Sequence, residues 1–269
     1  MKSTFRIVLA MVLIFCAAHR AHSQAKEVRV AAAADLQFAM KDLAVDFEKQ
    51  SGIKIDVTYG SSGNFFSQLQ NGAPFDLFFS ADIDFPRKLD AAGLAEPNTF
   101  YPYATGRIVL WMPPDTKVDV ARLQWNALLD PSVQKISVAN PQHAPYGRAA
   151  VAAMQKAGIY EQVKEKLVYA ENISQAAQFA QSGNAQAAIV ALSLTLSPAM
   201  KDGKSWEIPA DMHPPIEQAA IVMKDAKNKE SAKAFLEYVK SEKGREALTR
   251  YGFALPAPEH KKSAATTPK

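Results

Sequence analysis

The sequence predicts an α/β protein of two lobes, each a mostly parallel sheet flanked by helices, with two crossings of the chain between them. Three observations carry this prediction. Apolar strand-like runs alternate with helical periodicity from about residue 28 to 94, and again from about 135 to 192. A passage rich in Pro and Tyr, 97–102, breaks the rhythm between the two runs. A further apolar strand, 219–223, follows the second run, as a chain returning to its first lobe requires.

Residues 1–23 read as an export signal. Lys2 and Arg6 precede an apolar core at 7–18, and the small residues Ala21 and Ser23 fit a cleavage site. That core is shorter than the roughly 20 residues of a membrane span, and His19 and Arg20 interrupt it. A periplasmic protein cleaved near Ser23 and released rather than anchored is the expectation. The only cysteine, Cys16, lies in the same segment, and Phe15 before it is not the small residue of a lipid-attachment site. A mature chain without disulfides is held by its core, for which a length of about 245 residues suffices.

Charge points to no macromolecular partner. Of 31 Lys and Arg, Lys2, Arg6 and Arg20 fall in the leader, leaving 28 against 27 acidic residues. The basic excess then sits in the tail, at Lys261, Lys262 and Lys269, and the body shows no basic stripe for nucleic acid. The five histidines and scattered acids show no metal-ligand spacing.

Taken in order, the first mature strand is 28–33, followed by a helix over about 36–50 that Gly52 ends. The alternating run 55–59 is a strand, a short helix carries Phe65, Phe66 and Leu69, and 75–80 is the next strand. Asp82 is read as the start of another helix. After the Pro- and Tyr-rich break, 107–112 is an uninterrupted apolar strand. The second run gives strand 135–139, helix 148–156, strand 166–170, helix 174–181 and strand 187–192. The strand 219–223 is expected to pair with 107–112, and helices 231–240 and 243–251 to pack on the first lobe. The predicted division is therefore a leader at 1–23, one lobe at 24–104 plus 220–256, the other at 105–219, and a disordered tail at 257–269.

The functional signal is densest from Tyr59 to Asp82. Ser61 and Ser62 follow a strand and open a helix, where unpartnered N–H groups and the positive end of the dipole meet. Serine before a helix is ordinary capping. Gly60 and Gly63 on either side favour the closer approach of a ligand. Comparable helix starts occur at Asp35, at 145–147 and at 173–174, and in open parallel sheets ligands sit beyond such strand ends. Two facing lobes would aim all four at one cleft. A small oxyanion held there needs no counter-charge, since each N–H or hydroxyl donor to a charged acceptor contributes about 1.5–3 kcal/mol.

Several motifs occur in order along the chain: Ala31-Ala32-Ala33, Tyr59-Gly60-Ser61-Ser62-Gly63, Gly72-Ala73-Pro74-Phe75-Asp76-Leu77-Phe78, Ser80-Ala81-Asp82, Asn140-Pro141-Gln142-His143-Ala144-Pro145-Tyr146-Gly147 and Arg250-Tyr251-Gly252-Phe253. Together they resemble the periplasmic molybdate-binding proteins of ABC importers. The resemblance implies a two-lobed periplasmic binding protein fold of type II and a tetrahedral oxyanion, molybdate or tungstate, as ligand. It also implies delivery to a membrane permease by a monomer without cofactor, catalysis or resident metal. Carried over, Ser62 gives hydroxyl and amide, Tyr146 and Ile173 give amides, and Ser61 supports them. Ala34 and Asp35 stand at the end of the first strand.

Two positions depart from the family pattern. Asp35 stands where a hydroxyl residue is common, and Ala191 where a tyrosine is; Ser193 is then the candidate to replace the lost phenol. Asp35 has two readings. As a helix cap its carboxylate turns onto its own first turn. Facing the ligand, it accepts a proton from a phosphate-like anion or repels a fully ionised one, at about 4 kcal/mol for charges about 4 Å apart. The alternative functions are thus a phosphate- or sulfate-like ligand in the same fold, and a secreted hydrolase using Ser61 or Ser62 with His143 and Asp82, for which no Gly-x-Ser-x-Gly elbow is present. His143 is otherwise read as ordering its loop, and Arg107 and Arg148 as surface charges.

Overall fold

The computed structural model describes residues 27–256, so the leader, its cleavage site and the tail lie outside the described residues. Ten strands are β1 (Glu27–Ala33), β2 (Lys54–Gly60), β3 (Leu77–Ser80), β4 (Tyr101–Gly106), β5 (Ile108–Met112), β6 (Ile136–Ala139), β7 (Leu167–Ala170), β8 (Ala187–Ala191), β9 (Lys204–Glu207) and β10 (Ile216–Val222). The helices are α1 (Gln37–Ser51), α2 (Ser62–Gln70), α3 (Asp84–Ala91), α4 (Val120–Leu123), α5 (Pro145–Lys156), α6 (Tyr160–Val163), α7 (Ile173–Gln181), α8 (Leu192–Thr195), α9 (Lys229–Lys240) and α10 (Glu242–Arg250).

The strands form two sheets of the same plan, in the orders β2-β1-β3-β10-β4 and β7-β6-β8-β5-β9. In each, the fourth strand of the order runs against its two neighbours and the first three are parallel. Those antiparallel strands, β10 and β5, are the ones entered when the chain changes sheet. It leaves the first sheet between Gly106 and Ile108 and returns between Glu207 and Ile216, while positions 105 and 219 fall inside β4 and β10.

Three expectations are corrected. The strand 219–223 does not pair with 107–112: β10 lies between β3 and β4, and β5 lies between β8 and β9. The Pro- and Tyr-rich passage opens β4, because an edge strand tolerates the missing N–H of Pro102. The helix expected at Asp82 begins at Asp84, with the Asp82 carboxylate accepting from the Asp84 N–H at 2.9 Å. The short polar strand β9, Lys-Ser-Trp-Glu at a sheet edge, carries no apolar run by which to predict it.

Each lobe buries its own core. Leu43, Phe47, Phe79, Phe235 and Leu248 pack in the first, so α9 and α10 dock there as expected. The second lobe is lined by Leu110, Ile136, Met154 and Ile189, and its cluster extends across the cleft to Ala33, Ala34 and Ala81. Small side chains at these strand ends let the lobes meet closely, which sets the geometry of the site. No helix among the described residues is long and apolar enough to cross a membrane.

Candidate functional site

The parallel pairing of β1 with β2 sets Ala33 opposite Gly60, so the turns that follow, Ala34–Leu36 and Ser61–Ser62, emerge side by side. Opposite them, the second lobe contributes the starts of α5, α7 and α8. All four turns proposed from the sequence face one interlobe region, which is closed in this structure.

Ser61 and Ser62 divide their roles. Ser61 occupies the cap position of α2 but makes no side-chain cap bond, against the capping reading. Its hydroxyl donates instead to the His143 carbonyl in the other lobe. Ser62 is 1 % exposed and its Oγ accepts from the Ala81 N–H at 2.9 Å. Because it accepts from Ala81 through a lone pair, this hydroxyl still carries a proton to donate. Ile173 opens α7; Asn172 accepts from the Gln175 N–H at 3.0 Å, and the Ile173 amide has no intrahelical acceptor. The same holds for Tyr146 in the first turn of α5, where Ala144 provides no side-chain cap.

The rim of the cleft is stitched by polar contacts between lobes. The Gly63 N–H joins Ser61 in donating to the His143 carbonyl, at 3.0 Å, and the His143 ring lies 3.0 Å from Ser61 Oγ and 3.8 Å from Glu171. Asn64 bonds Glu171, Arg148 pairs with Asp82, and Ser174 donates to Gln37 at 2.6 Å. This corrects the hydrolase geometry: Asp82 is engaged by Arg148 rather than His143, and the Ser61 proton goes to a carbonyl. It also revises two surface readings. Arg148 bridges the lobes, and Arg107 donates to the Gly252 carbonyl at 2.9 Å and to Glu207 at 3.1 Å beside the first crossing. A groove of about 540 Å³ runs beside the Arg148–Asp82 pair, lined also by Arg87, Pro145 and Glu217.

On the hinge side the contacts are buried. Asp35 is 1 % exposed and its side chain is bound mainly across the lobes: its Oδ2 accepts from the Tyr146 hydroxyl at 2.8 Å and from Gln218 Nε2 at 2.7 Å, while Oδ1 has no side-chain partner. Burial pushes the carboxyl up to about 6, a rise that the hydrogen bonds from Gln218 and Tyr146, and lesser ones from the backbone N–H groups of Asp35 and Leu36, only partly offset. Tyr103 donates to Gln218 Oε1 at 2.6 Å. Gly106 stands against this group; a side chain there would collide with the Tyr146 hydroxyl and Gln218 Nε2. The Ser193 hydroxyl donates to the Asp35 carbonyl at 2.7 Å, so its one proton is engaged on the turn itself. Ala34, buried beside it, packs into the second lobe's core.

Gln218, Tyr103 and Gly106 are the members of this site that sequence reasoning missed. The signal for Gln218 is a fully buried amide inside the otherwise apolar inner half of β10. Tyr103 is placed by an irregularity: β4 pairs with β10 through Ala104↔Gln218 and Pro102↔Ala219, leaving Tyr103 as the extra residue of a bulge. Bulges re-aim a side chain in this way, and no periodicity discloses them. No group of three or more His, Cys, Asp or Glu suited to a metal ion occurs among the described residues.

Comparison with known proteins agrees with this architecture. The molybdate-binding protein ModA of Azotobacter vinelandii is 40% identical over 260 residues, covering 94% of this chain and 98% of that protein. The molybdate-binding protein ModA of Rhodobacter capsulatus is 37% identical over 229 residues, covering 85% of this chain and 88% of its own. The solved periplasmic molybdate-binding protein of A. vinelandii superposes with a TM-score of 0.80 at 33% identity, over 86% of this chain and 100% of that one. The sulfate-binding protein SubI of Mycobacterium tuberculosis, at 16% identity and a TM-score of 0.68 over 87% of this chain and 88% of its own, shares the fold. With residues 28–254 matching the family described as bacterial extracellular solute-binding protein, the chain belongs to that family, one of binding proteins rather than enzymes.

Proposed function

We propose that this chain captures molybdate, and tungstate with it, between its lobes in the periplasm and delivers it as a monomer to the membrane permease of an ABC importer. The observation that carries the reading is the convergence of uncharged donors from both lobes. Ser62, Tyr146 and Ile173 each stand in the first turn of a helix whose leading N–H groups have no intrahelical acceptor, on turns that small residues let approach closely, and the Ser62 hydroxyl adds a further donor. Neutral donors in a water-excluded cleft stabilise a doubly charged oxyanion without a counter-ion. The relatives named for molybdate support the choice of anion. Ser61 and Ser193 act beside the anion, holding His143 and the Asp35 turn, and Ala34 lines the wall. Closure around the anion is the state the permease reads.

A second reading, a phosphate- or sulfate-like ligand, finds support for its phosphate-like form in one observation, the Asp35 Oδ1 without a side-chain partner, which can accept a proton that such an anion carries. A thermal-shift series on the mature protein with molybdate, tungstate, sulfate, phosphate, chromate and arsenate separates the two, since stabilisation follows concentration over Kd. Molybdate and tungstate are expected to give the largest shifts. Phosphate leading, or no anion stabilising the protein, would overturn the assignment.

A further inference from the structure

The buried hydrogen bonds around Asp35 have a polarity that can be followed atom by atom. Tyr103 donates to Gln218 Oε1 at 2.6 Å, which orients the amide so that Nε2 faces the carboxyl. Nε2 also reaches the Tyr146 oxygen at 3.0 Å, and Tyr146 in turn donates to the same Asp35 oxygen, Oδ2. Oδ2 therefore has both lone pairs filled, and Oδ1 has no side-chain partner. Any proton on this carboxyl resides on Oδ1, where it needs an acceptor. Leaving a buried carboxyl oxygen unsatisfied is costly, and no acceptor for it occurs among the described residues.

Molybdate and sulfate carry no proton at neutral pH, so a bare Oδ1 repels them and a protonated Oδ1 donates to them. We propose that Gln218 and Tyr103 are positioning residues that dictate which Asp35 oxygen meets the anion, so that Asp35 and a doubly charged oxyanion bind with one shared proton on the Oδ1 side. The proton is taken from solvent as the lobes close; an anion that carries its own proton supplies it instead. This rests on the oxyanion reading above and adds the charge state in which the anion is accepted.

The surroundings hold no rival for the proton. The ionisable groups facing Asp35 are Tyr146 on α5 and Tyr103 on β4, both kept well above the usual tyrosine range by burial and by the Asp35 charge. Gln218 on β10, Ser193 on α8, and Ile173 and Ser174 at the start of α7 are neutral. No charged side chain contributes to the rise at Asp35, which leaves burial as its cause.

The test is calorimetry of the mature protein with molybdate at about pH 8 in two buffers of different ionisation enthalpy, which counts protons taken up. Wild type is expected to take up close to one proton per anion. Asp35→Asn, whose side-chain amide places a permanent donor at the Oδ1 position, is expected to take up none and to bind at least about tenfold more tightly than wild type at that pH. Tyr103→Phe frees the Gln218 amide to turn its oxygen toward Asp35 and draw the proton onto Oδ2; binding is expected to weaken about fivefold. Anion binding by wild type without proton uptake overturns the proposal, as does Tyr103→Phe with unchanged affinity. Failure of wild type to bind molybdate at all would instead overturn the oxyanion reading beneath it.

Discussion

The two lobes are joined in two different ways on either side of the cleft. At the rim, one member of each charged contact is open to water, Glu171 at 58% and Arg148 at 42%, and the Arg148–Asp82 pair is of the kind that salt screens and that contributes about 0–1 kcal/mol. On the hinge side, Asp35, Tyr103, Tyr146 and Gln218 are buried, and a bond lost there leaves an unsatisfied group costing about 1–3 kcal/mol. The difference teaches that closure and selectivity need not reside in the same contacts. The rim is replaceable, whereas the hinge side is built around one carboxyl whose surroundings admit few alternatives.

The sharpest break of that comparison is expected at Asp35. In the folded protein the carboxyl keeps its proton up to about 6, against an ordinary value of 3.8. Between those values the native state binds more protons than the unfolded one, so the contribution to stability is full below the ordinary value, falls as pH rises, and is gone above about pH 6. Its size is at most about 3 kcal/mol. Urea unfolding of wild type against Asp35→Asn is expected to show this decline in the difference between them, and a pH-independent difference would contradict it.

Next in size, Gly106→Ala places a methyl against the Tyr146 hydroxyl and Gln218, which meet across the lobes in this structure. Molybdate affinity is expected to fall about 100-fold with the circular dichroism spectrum retained. Affinity within about threefold of wild type would show that the hinge-side contacts do not accompany closure. Ser62→Ala removes a buried hydroxyl donor without touching the hinge side, for an expected loss of at least about tenfold by calorimetry. Arg148→Ala at the rim is expected to change affinity by less than about threefold, and by less still at high salt. A rim effect as large as that of Ser62→Ala would erase the distinction between the two sides.

How far the sequence disclosed this molecule follows the same division. Local alternation of strands and helices made both lobes legible, because each turn from β1 to β3 and from β6 to β8 is a short-range event with capping and periodicity to mark it. Pairing was not: that β10 enters between β3 and β4 depends on a crossing of more than a hundred residues, and no local pattern records it. At the site, Ser61, Ser62, Tyr146 and Ile173 could be read because they sit at helix starts. Asp35 was visible, but its bond to the Tyr146 hydroxyl and its partner Gln218 were not. Tyr103 reaches Gln218 through a bulge, and Gln218 is one polar residue among apolar neighbours whose meaning appears only once β10 has a register. The capping reading of Ser61 failed for a related reason, since a contact from the other lobe takes its hydroxyl, and at Asp35 the bonds from Gln218 and Tyr146 outweigh those of its own turn.

The measurement that bears most directly on the central claim is anomalous diffraction at the molybdenum edge from crystals of the mature protein grown with molybdate. A single strong peak between the Ser62 hydroxyl and the amides of Tyr146 and Ile173, enclosed by both lobes, is the result this account expects. A peak on the outer surface, or bound to one lobe with the cleft empty, would contradict it.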